Sequence, residues 1–196
     1  MNKKNPTTKE TFDLAVQNHK KNNLQAAEKL YKEILKTNPN FEGAYNNLGN
    51  VLHELGKHQK AISCYEKAIQ INPNYANAHY NLGSVLDELE EHKKAISCYE
   101  KAIQIQPNYA NAHYNLGLVF KKLGEFQKAV SCYEKAVQIN PNFAGAHNNL
   151  GNVLHELGEF QKAISCYEKA IQIQPNYANA HYNLGGVLDE LGEFQK

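Results

Sequence analysis

Apolar and small residues recur along this chain at helical spacing, in blocks that themselves repeat. In 76–89, Ala78, Leu82, Val85, Leu86 and Leu89 fall on one stripe of a helix. In 92–105, Ala95, Ile96, Tyr99, Ala102, Ile103 and Ile105 do the same, and Pro107 closes the run. Gly49, Gly83, Gly117, Gly151 and Gly185 each follow Asn-Leu and stand 34 residues apart. Ala61, Ala95, Ala129 and Ala163 keep that interval, as do Tyr65, Tyr99, Tyr133 and Tyr167. Pro39, Pro73, Pro107, Pro141 and Pro175 keep it too. A fixed period of this length predicts stacked supersecondary units. Each unit reads as two helices, with full units at 42–75, 76–109, 110–143 and 144–177. A diverged copy covers 8–41, where Leu14-Ala15 stands for Leu-Gly and Ala27, Tyr31 and Pro39 are in register. A half unit, one helix only, covers 178–196, and residues 1–7 are expected to form a disordered tail. Nothing alternates like a strand, so the expected class is all-α.

Glycine inside a helix costs about 1 kcal/mol relative to alanine, so its return at five equivalent sites implies a packing demand. The expected reason is close approach: Gly83 on the first helix faces Ala95 and Ala102 on the second, while Tyr99 and the isoleucines fill the space toward the next unit. Gly56, Gly124, Gly158 and Gly192 follow the first helices where a left-handed cap is wanted. Glu90 stands at the fifth such position, at an expected small cost in stability. One helix pair cannot bury both of its faces, whereas a stack can.

Leu-Gly, then Gly, Ala, Tyr, Ala and Pro in this register resembles the tetratricopeptide repeat over residues 8–196. The resemblance implies a right-handed superhelical solenoid of antiparallel helix pairs, with each first helix lining the concave face.

Composition narrows the function. The 21 basic residues, all of them lysine, nearly balance 20 acids, for a net charge of +1. That gives no electrostatic reason to expect nucleic acid or an anionic membrane, and the absence of arginine weakens phosphate recognition further. No run of 18 apolar residues could span a bilayer, and the start MNKKNPTTKE, charged with no apolar core after it, does not read as a secretory leader, so a cytoplasmic location is expected.

Candidate chemistry is sparse. Cys64, Cys98, Cys132 and Cys166 are one per unit, too far apart across neighbouring helices to be bridged, so partly buried thiols in a reducing compartment are expected. His79, His113, His147 and His181 form a second ladder, with Tyr45 at the equivalent place; it reads as a packing ring with one polar edge. The run from His53 to His58 superficially matches a zinc-protease motif, but its second histidine comes one residue late and Gly56 ends the helix between them. No nucleophile–base pair, phosphate loop or opposed carboxylate pair is present. The chain is therefore expected to be a non-enzyme with no cofactor and no metal.

The 25 asparagines are the constellation that asks for a role. Asn47, Asn81, Asn115, Asn149 and Asn183 precede the Leu-Gly of every first helix. Carried over from the family, this position lies on or beside the concave wall, with Asn50, Tyr80, Ser84, Tyr114, Asn152 and Tyr182 as neighbours. Asp87, Glu88, Lys121, Lys122 and Glu156 come further along the same helices. An asparagine amide offers a donor and an acceptor, as a peptide group does, and tyrosine adds contact area at low entropic cost. The expected partner is an extended polypeptide. The asparagine row also resembles the repeat region of protein O-linked N-acetylglucosamine transferases, though only in the repeats. Two other roles stay open: a substrate-recruiting region preceding a glycosyltransferase or sulfotransferase domain, and a structural self-assembly element.

Units two and five share NNLGNVLHELG, and units three and six share ANAHYNLG and VLDEL, a superperiod of three units. Any continuation is expected to resemble 110–143 next, with its lysine pair. The last helix lacks its partner within this sequence, so Leu184, Leu188 and Leu191 are expected to be partly exposed, and self-association through that helix is a further expectation.

Overall fold

The computed structural model describes residues 7–192. Internal contacts divide the chain into two units, one ending at Ile105 and one beginning at Gln106. The first contains α1 (Thr8–Lys20), α2 (Leu24–Thr37), α3 (Glu42–Glu54), α4 (His58–Ile71), α5 (Ala76–Glu88) and α6 (His92–Ile105). The second contains α7 (Ala110–Lys122), α8 (Phe126–Ile139), α9 (Ala144–Glu156), α10 (Phe160–Ile173) and α11 (Ala178–Glu190). No strand occurs among the described residues. Thr7, placed by the sequence in the tail, caps α1: its side chain accepts from the Glu10 amide while the Glu10 carboxylate accepts from the Thr7 amide. Residues 1–6 of that tail, and 193–196 of the last half unit, lie outside the described residues.

Gly56, Gly124, Gly158 and Gly192 end their helices at φ between 68° and 75°. At the first, the Gly56 amide donates to His53 O at 2.8 Å and the Lys57 amide to Leu52 O at 2.8 Å, a left-handed cap that satisfies two end carbonyls. Glu90 is forced into the same conformation at φ 60°, which costs a side-chain-bearing residue roughly 1–2 kcal/mol.

The interior is made chiefly of alanines, valines, leucines and one tyrosine per pair. Tyr31, Tyr65, Tyr99, Tyr133 and Tyr167 are all buried to within 1% of full exclusion. Their rings explain the helical glycines in a way the sequence did not specify. A methyl group on Gly49 would stand 2.5 Å from Tyr65 Cε1; on Gly117, 2.7 Å from Tyr133 Cε1; on Gly151, 2.6 Å from Tyr167 Cε1. On Gly83 it would meet Tyr99 Cε1 at 2.9 Å. The glycine seats an aromatic ring from the second helix of its own pair, rather than bringing two backbones together. Tyr99 thus fills a notch within its own repeat.

Candidate binding face

Within each unit neighbouring first helices meet: α1 touches α3, α3 touches α5 and α9 touches α11. Six polar contacts on this face share one separation. Asn81 Nδ2 donates to Asn46 Oδ1 at 2.9 Å, Asn183 Nδ2 to Asn148 Oδ1 at 3.0 Å, and Asn149 Nδ2 to the Tyr114 hydroxyl at 2.9 Å, each across 35 residues. His19 Nε2 meets Glu54 at 2.8 Å, His53 Nε2 meets Glu88 at 2.6 Å and His155 Nε2 meets Glu190 at 3.0 Å, again across 35. Equivalent positions are 34 apart, so the partner lies one residue further on, because helical side chains lean toward the N-terminus of their helix.

This arrangement changes what the asparagines offer. Asn46 and Asn148 are 4% and 3% exposed and belong to the interior. Asn46 donates to Asn47 Oδ1 at 3.2 Å. Asn50 Oδ1 accepts from the Tyr65 hydroxyl at 2.8 Å, and Asn152 Oδ1 from the Tyr167 hydroxyl at 3.0 Å. Asn183 Nδ2 reaches Asn152 Oδ1 as well, at 2.8 Å, so both of its N–H groups are committed. The row is a cross-linked network, not a set of idle amides. These bonds also orient it: with the amide nitrogens of Asn81 and Asn183 turned toward the preceding pair, each Oδ1 is left with no donor among the described residues. Ser84 takes the place of Asn50 in the next repeat, and Leu118 takes it in the one after. In that second case the buried Tyr133 hydroxyl has no partner among the described residues.

The histidine ladder has a specific task. Nε2 of His79, His113 and His147 donates to the carbonyl of Pro73, Pro107 and Pro141 at 3.0 Å each, and His181 does so to Pro175 at 2.8 Å. Each ring thereby pins the turn that leads into its helix. Burial lowers the pKa of His147, opposed in part by the Pro141 contact. The cysteines are half-buried thiols, and desolvation pushes Cys64, Cys98 and Cys166 up to about 11. They are thiols, not thiolates, at neutral pH.

Two hollows open on the first-helix face. In the second unit a groove of about 830 Å³ is lined by Lys121, Asn152, Glu156, Tyr182, Asn183 and Asp189, with His155, His181 and Glu190 beside them. Tyr182 is 83% exposed there. In the first unit a smaller recess of about 190 Å³ brings together Asn50, Asn81, Ser84, His53 and Glu54. Tyr80 and Tyr114 lie 5.8 Å, ring centre to centre, from Tyr99 and Tyr133 respectively, which ties them to the tyrosine core as well as to the face. Asn47 accepts from Asn46, Asp87 is held by His92 Nδ1 at 3.0 Å, and Glu88 by His53. Asn115 on α7 is half-buried, and Lys122 closes the same helix exposed. The networks spanning 35 residues were missed from sequence; a search for complementary side chains at the period plus one would have found them.

Sequence profiles of the tetratricopeptide repeat match residues 41–108, 110–143 and 132–165, and a TPR repeat profile matches 151–192. The solved structure of MamA is 30% identical, covering 84% of this chain and 96% of its own, with a TM-score of 0.76. The chain belongs to the tetratricopeptide repeat family. Its fold is the all-α TPR solenoid of helix pairs. A second TPR structure, YrrB, described as having an unusual peptide-binding site, is 26% identical, covering 90% of this chain and 91% of that one, with a TM-score of 0.72. PilF of Pseudomonas aeruginosa, at 19% identity and a TM-score of 0.82 over 96% of this chain and 91% of its own, shares the fold. Comparison with curated proteins returned no match. As a TPR protein this chain is a protein-interaction scaffold in kind, and none of its described helices is long and apolar enough to cross a membrane.

Proposed function

We propose that the first-helix face binds an extended polypeptide, and that the chain does no chemistry itself. The observation that carries this reading is the groove of about 830 Å³, which gathers Lys121, Asn152, Glu156, Tyr182 and Asn183 on one open surface. Its chemistry suits a peptide backbone: the oriented Asn183 carbonyl accepts from a peptide N–H group, and an exposed tyrosine supplies contact area. Glu156 and Asp189 outnumber Lys121 along the groove, so basic side chains in the ligand are favoured. YrrB, a TPR protein with a peptide-binding site, supports the reading by likeness. The same use of concave asparagines is what the resemblance to O-linked N-acetylglucosamine transferase repeats implies, and a downstream catalytic domain would turn this face into a substrate-recruiting one. Half-buried thiols with no disulfide fit a cytoplasmic setting.

The test is selection of peptides from a random displayed library against the whole chain, followed by affinity measurements on variants. Tyr182→Ser and Glu156→Lys should each weaken selected peptides by about tenfold or more, which is 1.4 kcal/mol. Glu100→Lys, on the second helix of its pair, should leave them unchanged. Peptides that bind all variants equally would place the ligand elsewhere.

A further inference from the structure

We propose that His53, His58 and Glu88 form a zinc-class metal site that joins the second repeat to the third. The three come from different elements: His53 from the last turn of α3, His58 from the first residue of α4, and Glu88 from the end of α5. One donor atom from each, two imidazole nitrogens and a carboxylate oxygen, lie within 4.8 Å of one another. The Gly56 turn that rules out a protease-type helix is what folds His58 back, so that its ring stands 5.5 Å from that of His53 at 59°.

The chemistry of this donor set is selective. Two imidazoles and one carboxylate suit Zn²⁺, with bonds of about 2.0–2.2 Å and a fourth, open position for water. Around such an ion neighbouring donors stand roughly 3.4 Å apart, so His53 Nε2 and Glu88, at 2.6 Å, need open only slightly while His58 closes in. His58 Nδ1 is buried and has no hydrogen-bond partner among the described residues, so no bond within the protein competes for that nitrogen. Asp87, one residue before Glu88, is held by His92 and is not needed. The cysteines do not compete either, since burial keeps Cys64 and Cys98 protonated.

The molecule supplies its own control. Five repeats' worth of sequence contains a near-copy of this corner, in which His155 meets Glu190 at 3.0 Å and Phe160 takes the place of His58. There the rings stand 5.4 Å apart at 56°, so a phenyl group fits where the imidazole does. Repeats five and six therefore hold the same backbone and two of the three donors, without the second imidazole.

The experiment is titration of the chelator-treated 196-residue chain with Zn²⁺ by calorimetry and with Co²⁺ by visible absorption, alongside thermal unfolding. One equivalent should bind, Co²⁺ should give the absorption of a four-coordinate nitrogen–oxygen site with no sulfur charge-transfer band, and Zn²⁺ should raise the melting temperature. His58→Phe and Glu88→Gln should each weaken Zn²⁺ by at least about tenfold, given that removal of even outer-shell partners costs 10–100-fold. Both should also abolish the thermal shift, while His155→Gln should change neither. His58→Phe keeps the fold, as Phe160 indicates, and circular dichroism checks it. Wild-type binding no tighter than that of His58→Phe, or a sulfur band with Co²⁺, would overturn the site.

Discussion

Residues 42–88 and 144–190 are two versions of one design, and what separates them is instructive. Both link first helices through asparagine, Asn81 to Asn46 and Asn183 to Asn148. Both rest a tyrosine hydroxyl on an asparagine oxygen, Tyr65 on Asn50 and Tyr167 on Asn152. Both close with a histidine–glutamate contact. The backbone frame is common, and single positions then decide the chemistry: His58 against Phe160 at the turn, and Tyr45 against His147 on the ladder. A repeat fold fixes where a side chain stands and leaves open what it does there.

The sharpest way to break the comparison is at the glycines. Gly49→Ala and Gly151→Ala should cost about the same, roughly 2 kcal/mol, because the buried tyrosine ring must move. Gly186→Ala, on α11 with nothing within 4 Å, should instead stabilise by about 1 kcal/mol through helix propensity. Urea unfolding of the three variants measures this, and a loss at Gly186 comparable to that at Gly49 would refute the ring-seating account.

Next come the tyrosine hydroxyls. Tyr65→Phe and Tyr167→Phe each remove a hydrogen bond and should cost about 1 kcal/mol. Tyr133→Phe should cost nothing or gain, since Leu118 offers its hydroxyl no acceptor. Equal losses at all three sites would mean the hydroxyls contribute through something other than Asn50 and Asn152. A gain of comparable size is expected for Glu90→Gly, which relieves a left-handed glutamate: about 1 kcal/mol in the same measurement.

The smallest effect concerns acid. His147 has a folded-state pKa below its ordinary value because it is partly buried. The unfolded chain therefore takes up that proton first, so stability is intact above about pH 6.5 and declines below it. Tyr45 occupies the matching place with a phenol ring instead of an imidazole. His147→Tyr should shrink the drop in melting temperature between about pH 7 and about pH 5, and an unchanged drop would assign the acid sensitivity to other histidines.

Much of the fold was legible because its causes are local and periodic. Glycine, alanine, tyrosine and proline in phase fixed the helix pairs, and the Gly56 class of caps and the strained Glu90 could be read from position alone. The grouping of Asn152, Tyr182, Asn183 and Glu156 along one groove was legible from the repeat register. Its bonding was not. Asn50 and Asn152 turn inward to tyrosines, and Glu88 leans back to His53, because those contacts depend on how neighbouring helices are staggered. His53 and His58 could be dismissed as a helical motif, but only folding shows that a sharp turn can bring together what a helix would have separated.

The stagger has a consequence for how such a chain can evolve or be rebuilt. Each link takes one half from a given repeat and the other from its successor, as His19 does with Glu54 and His53 with Glu88. The units are therefore words in a sentence, not beads on a string. Shuffled, each would still fold as a hairpin yet fail to recognise its new neighbour, so duplicating whole blocks preserves meaning where inserting a single unit would not.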